Sequence, residues 1–198
     1  MEVTKAVLGL VGDHCDLEKR LGVAPPSAQS RGLYMQNIER AMERAGLTNE
    51  YRALCGKERF SALRFYPISD YLVRIAGAGA LLKGPEHVHA GMYEVSRSNA
   101  QTVADSLLGR TLLRVLSRDP QRLLRQGVAG HRQTARGSHW DLRFPSARQA
   151  IMEFREELDW IESSLLGSAY GTMEGAGIKA EIRCELRDPF NGAHLISW

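Results

Sequence analysis

The sharpest pattern of apolar and polar positions lies near the C-terminus. Ile178, Ala180, Ile182, Cys184 and Leu186 alternate with Lys179, Glu181, Arg183, Glu185 and Arg187. A period of two places one set on each face of a strand. One face is therefore apolar and the other charged, as in an antiparallel sheet with one side in water. Ser138 to Phe144 alternates in the same way, with Trp140, Leu142 and Phe144 together. Ala150 to Glu156 repeats it with Ala150, Met152 and Phe154. Asp188-Pro189-Phe190-Asn191-Gly192 has the composition of a turn, and Ala193 to Trp198 follows as a last strand.

Upstream the period lengthens to that of a helix. Leu33, Asn37, Ile38, Ala41, Met42 and Ala45 recur at spacings of three and four, and Gly46 ends the run. Tyr71, Leu72, Ile75, Ala76, Ala80 and Leu81 form a second stripe that stops near Gly84-Pro85. Val88, Met92 and Val95 mark a helix over 85–98. Val103, Leu107, Leu108, Leu112, Val115 and Leu116 mark another over 102–116. Asp119-Pro120 opens a short helix over 121–125, with proline in its first turn. Between the two strand pairs, Leu158, Ile161, Leu165, Ala169 and Met173 predict a helix over 158–175.

The first residues are weaker. A helical pattern over 3–21 breaks at Gly12-Asp13, and Ala24 to Ser30 reads as a Pro-rich linker. The expected organisation is an arm and linker over 1–30 and a single domain over 31–198. The fold class is α+β: N-terminal helices, then strand–strand–helix–strand–strand forming a four-stranded antiparallel sheet packed on helices.

Composition narrows this picture little. The chain has 198 residues, 43% hydrophobic and 25% charged, which suits one globular domain and neither a disordered tail nor a membrane span. The formal charge of +3 is concentrated in Arg110, Arg114, Arg118, Arg122, Arg125, Arg132 and Arg136. Without interleaved aromatics this cluster reads as a solvated face, so nucleic acid is not the expected partner. Arg110, in a Ser-x-x-Gly-Arg segment, is assigned a structural or anion-pairing role. Cys15, Cys55 and Cys184 are odd in number and far apart, which argues for reduced apolar fillers. No apolar run reaches the length of a signal or spanning segment, and a cytoplasmic protein is expected.

Motifs for specific chemistry are missing. Gly77-Ala78-Gly79 lies in a helical run with no strand before it, so it is not a dinucleotide loop. The nucleophile elbow Gly-x-Ser-x-Gly is absent. His14, His87, His89, His131, His139 and His194 lack metal-ligand spacing, and no metal is predicted. What remains is a pocket between helices and sheet. Its expected lining is Tyr71, Ile75, Met92, Leu107, Trp140, Leu142, Met152, Phe154 and Leu165. Tyr71 and Trp140 carry the polar handles that would orient a ligand.

Several segments together resemble a paralogous family of uncharacterised proteins abundant in myxobacteria. They are Arg31-Gly32-Leu33-Tyr34, Phe65-Tyr66-Pro67-Ile68-Ser69-Asp70-Tyr71-Leu72, Gly77-Ala78-Gly79-Ala80-Leu81-Leu82, Ser106-Leu107-Leu108-Gly109-Arg110, Arg118-Asp119-Pro120 and Trp198. More distantly, the order of elements is similar to a ligand-binding superfamily. It holds haem nitric-oxide-binding sensors, vinyl-reductase-type small-molecule domains and vesicle-tethering subunits with a buried acyl pocket. That resemblance implies a hydrophobic pocket against the apolar sheet face. The haem sensors use an axial histidine on a helix and a Tyr-x-Ser-x-Arg motif. Here Tyr93-Glu94-Val95-Ser96-Arg97 has its serine one place late, and His87 and His89 stand two apart. No cofactor is predicted, with haem retained as the alternative.

The leading expectation is a non-enzymatic cytoplasmic sensory or regulatory module binding a small hydrophobic ligand. The alternative is a homodimeric protein–protein interaction module that uses the arm. An enzyme on the same pocket would need a buried titratable pair beside it, such as Asp70 or Glu94 near a histidine.

Overall fold

The computed structural model describes residues 2–105 and 119–198, with the backbone alone over 100–105. Its first part is helical: α1 (Glu2–Val11), α2 (Leu17–Val23), α3 (Gly32–Arg44), α4 (Thr48–Cys55), α5 (Ile68–Lys83) and α6 (Val88–Asp105). Helix α5 is the centre of this part. Its residues Tyr71 to Ala80 are all buried, because neighbouring helices cover every side of it. A helix that is apolar all round has to lie inside a core.

Glycine sets how closely α5 and α6 approach. A Cβ on Gly91 of α6 would run into the backbone of Gly79 on α5. On the other side of α6, a Cβ on Gly167 or Gly171 would meet the backbone of Tyr93 or Arg97. The small residues at 77–80 thus belong to helix contacts. The described residues of the expected arm, 2–30, pack on this body: Val7, Val11 and Leu17 have no exposed surface, and Arg20 has 1%.

The second part holds α7 (Pro120–Thr134), β4 (His139–Ser146), β5 (Gln149–Arg155), α8 (Leu166–Gly175), β6 (Glu181–Asp188) and β7 (Asn191–Ser197). Asp119 caps α7 by accepting the Arg122 amide at 2.9 Å, with Pro120 behind it. The sheet order is β4-β5-β7-β6, antiparallel throughout. Trp140 lies opposite Phe154, Leu142 opposite Met152, and Met152 opposite His194. Across the next pair, Cys184 lies opposite His194 and Ile182 opposite Ile196. The expected α+β architecture with a four-stranded antiparallel sheet on helices is therefore present.

Several elements differ from their sequence expectations. Helix α7 continues to Thr134, well past Arg125. The helix expected from Leu158 begins later: 157–160 is an extended buried connection, and Ile161–Leu165 is a π-type turn leading into α8. β6 starts at Glu181, three residues after Ile178, and Leu186 at its far end is 46% exposed. Helix α4 was not expected, nor was a small sheet in the order β2-β1-β3. Its strands are β1 (Gln29–Arg31) within the presumed linker, β2 (Phe65–Pro67) and β3 (Ala135–Arg136). Helix α6 runs on through Thr102 to Asp105. The rest of the helix expected over 102–116, with Leu107, Arg110, Arg114 and Arg118, lies outside the described residues.

Candidate functional site

The apolar face of the four-stranded sheet does not close fully against the helices. A cavity of about 380 Å³ remains between β4, β5 and β7 on one side and α3, α5, α7 and α8 on the other. The period-two pattern aims Trp140, Met152, Phe154 and His194 into this space. Helix α7 forms the opposite wall, with Leu123, Leu124 and the side-chain-free surface of Gly127 and Gly130. Volume and lining fall within the range of small-molecule sites.

Five of the expected lining residues meet here: Tyr71, Trp140, Met152, Phe154 and Leu165. Ile75 and Met92 have no exposed surface and belong to the helical core, away from the cavity. Leu142 packs at the sheet's edge of the second core cluster and does not line the space. Leu107 and Arg110 lie outside the described residues. The Tyr93-to-Arg97 segment is engaged elsewhere. Ser96 Oγ is 3.0 Å from Ser164 Oγ, and Arg97 forms a two-point ion pair with Glu174 at 2.7 and 2.8 Å.

The cavity's polar wall was not expected. After β5 the chain turns inward through Glu157, Leu158 and Asp159, and all three line the space. Glu157 is 4% exposed and Asp159 6%. Trp140 Nε1 donates to Glu157 Oε2 at 2.6 Å. Tyr71 Oη and Ser164 Oγ donate to Asp159 Oδ2 at 2.8 and 2.9 Å. Burial pushes the Asp159 carboxyl up to about 7, and the neighbouring Glu157 charge adds to the shift. Burial also raises Glu157, against the pull of the Trp140 N–H. This is the buried titratable pair beside the cavity, in place of Asp70 or Glu94.

Two histidines complete the wall. His131 on α7 stacks flat on Trp140, with ring centroids 3.7 Å apart, and Nε2 lies 3.0 Å from Ser138 Oγ. His194 stands in the middle of the apolar sheet face with no exposed surface. Its Nε2 is 2.8 Å from the Ile161 carbonyl oxygen, while Nδ1 is buried without a partner. Burial pushes both imidazoles down to about 4, so both are neutral near pH 7. The alternation Gly192-x-His194-x-Ile196 is the sequence signal that could have placed His194 on the inner face.

Behind the wall lies Arg20 of α2. Its guanidinium bonds Asp16 at 2.8 Å and donates to the carbonyls of Leu158, Asp159 and Pro189 at 3.0 to 3.3 Å. It also sits over Trp160, 4.7 Å from the ring centroid. Residues 157–160 thus face the ligand space on one side and the N-terminal helices on the other. Among the described residues, no group of three His, Cys, Asp or Glu could hold a metal, and no helix is long and apolar enough to cross a membrane. Cys15, Cys55 and Cys184 are free thiols.

This arrangement, a helical body with a cavity under a four-stranded antiparallel sheet, has the fold of the H-NOX domains. An Fe(II) unliganded H-NOX protein from K. algicida superposes with a TM-score of 0.63 at 15% identity, covering 84% of this chain and 95% of that one. An H-NOX protein from S. oneidensis in the Fe(II)NO ligation state gives 0.58 at 11% identity, covering 84% and 98%. A third structure, described as modulating haem redox potential through protein-induced porphyrin distortion, gives 0.61 at 14%, covering 85% and 99%. In sequence, the chain belongs to the family DUF2378, a protein of unknown function, which it matches over residues 24–198. No curated protein matches it.

Proposed function

We propose that this chain is a sensory domain that binds a small, largely apolar ligand in the cavity under the sheet. The observation that carries the reading is the cavity itself: about 380 Å³ walled by Trp140, Met152, Phe154 and Leu165, with a buried histidine nitrogen left without a partner. Native interiors close-pack, and buried polar atoms are satisfied, so an open space with an unsatisfied atom suits a ligand. The fold shared with H-NOX domains supports a sensory role by analogy. The connection 157–160, which touches both the cavity and Arg20, supports a route by which occupancy would reach the N-terminal helices.

At its polar end, the described lining of the cavity does not suit haem, the group named for one of the neighbouring structures. Haem carries two propionates, and the buried polar end of this cavity offers them Glu157 and Asp159, which repel them. Among the described residues, the arginine on the cavity is Arg136, which is exposed, bonds Gln29 and lies over the Phe65 ring. His131 has one ring nitrogen on Ser138 and a face covered by Trp140. These observations support a ligand other than haem.

Native mass spectrometry of the full chain purified from cells tests the reading. We expect a bound mass that disappears in Ala169→Trp, which fills the cavity from α8. A chain that is always empty, and that takes up no apolar dye, would sink the proposal.

A further inference from the structure

The chemistry of the ligand can be read from which hydrogen-bonding groups of the wall are already engaged. Four of the wall's donors are engaged inside it. Trp140 Nε1 bonds Glu157, and Tyr71 Oη bonds Asp159. Thr134 Oγ1 gives its proton to the Gly130 carbonyl at 2.8 Å, so in its 2.7 Å contact with Tyr34 the tyrosine is the donor.

Acceptors, by contrast, are left over. The Ile161 carbonyl can only accept, so His194 Nε2 carries the proton and Nδ1 presents a bare lone pair. Asn99 Oδ1, also on the cavity, is buried without a partner. Charge points the same way. Glu157 and Asp159 are both buried, and Arg20 beside them has its guanidinium engaged by Asp16 and three backbone carbonyls.

The unpaired nitrogen and the Glu157 carboxylate lie at opposite ends of one aromatic row. Phe154 is 4.7 Å from the His194 ring on one side and 5.1 Å from Trp140 on the other, and Trp140 reaches Glu157. Resting on the ligand-binding reading above, we infer that the cavity takes an aromatic amine. Its ring packs along Trp140, Phe154 and Met152, its ammonium group sits beside Glu157 and Asp159, and a donor at its far end meets His194 Nδ1. An anionic group is disfavoured at that end by the same carboxylates.

The test uses four small probes on the full chain, read by calorimetry: phenethylamine, phenethyl alcohol, phenylacetate and tyramine. Phenethylamine is expected to bind about tenfold more tightly than the alcohol, the ratio between a charge-assisted and a neutral hydrogen bond, and phenylacetate more weakly than either. Tyramine adds a phenolic donor and is expected to gain about fivefold over phenethylamine, a gain lost in His194→Phe. Glu157→Gln should cost the amine about tenfold and leave the alcohol within about twofold. Should either variant fail to fold, the order of probes on the wild-type chain still decides. Alcohol and phenylacetate binding as tightly as the amine would overturn this inference and leave an apolar ligand site standing. No binding of any probe would overturn both.

Discussion

The helix contacts and the cavity wall of this molecule use glycine and buried charge in opposite ways. At the helix contacts, Gly79, Gly91, Gly167 and Gly171 are where backbones touch, and no space is left for a methyl group. On the cavity side, Gly127 and Gly130 face open space, with nothing within 4 Å of an added Cβ. Arg20 in the body has every bond it needs, whereas His194 on the cavity has an idle nitrogen. One half is built for close packing. The other keeps a space with an unpaired His194 nitrogen on its wall, at a cost to stability that function can explain.

The comparison breaks most visibly at Arg20, which joins the halves. Arg20→Ala strands Asp16 and three carbonyls and should lower stability by about 4 kcal/mol in urea denaturation. A loss below about 1 kcal/mol would mean the halves are not joined there. Next comes Gly91→Ala, expected to cost about 3 kcal/mol because its methyl meets the Gly79 backbone. The same substitution at Gly127 should have the opposite sign, stabilising by about 1 kcal/mol through helix propensity alone. Equal effects at the two glycines would erase the distinction between the halves.

The smallest expected effect is on pH dependence, where buried histidines and buried carboxylates oppose each other. His131 and His194 are held down to about 4 from an ordinary 6.5, so the stability they confer is present above 6.5 and lost as pH falls towards 4. Asp159 is pushed up to about 7 from 3.8, so its contribution is present below 3.8 and lost as pH rises through 7. Between these limits the two trends partly cancel, and wild-type stability should change little from pH 4.5 to 6.5. Asp159→Asn leaves the histidine trend uncovered, so its urea midpoint should fall more steeply on acidification. Matching slopes in variant and wild type would show that Asp159 does not titrate as described.

Much of the fold was legible in local periodicity. The alternation Ile182-x-Cys184-x-Leu186 placed β6, and the stripe through Tyr71, Ile75 and Ala80 placed α5. Strands β1, β2 and β3 were not legible, since two or three residues carry no period, and each forms because a distant segment supplies the ladder. The extended stretch 157–160 also escaped. Leu158, Ile161 and Leu165 fit a helical stripe, but Glu157 and Asp159 are held by bonds to Trp140 and Tyr71 from other elements. Tertiary hydrogen bonds here override local preference.

The site divides the same way. Trp140, Met152, Phe154 and His194 share a face because side-chain direction in a strand is fixed by counting, and that follows from sequence alone. Tyr71 comes from a helix that passes the sheet at one end, and Ile75, one turn further on, points into the helical core instead. Which turn of a helix meets a cavity depends on where neighbouring backbones stop, and here glycine contacts set that position. The sequence by itself determined the α+β order and the apolar sheet face. Only the tertiary structure decided that the face stays partly uncovered, and that two carboxylates and an unpaired histidine nitrogen border the gap. The physical reason is that periodicity records which side of an element avoids water, while the polar character of a cavity depends on which buried groups from distant segments find partners.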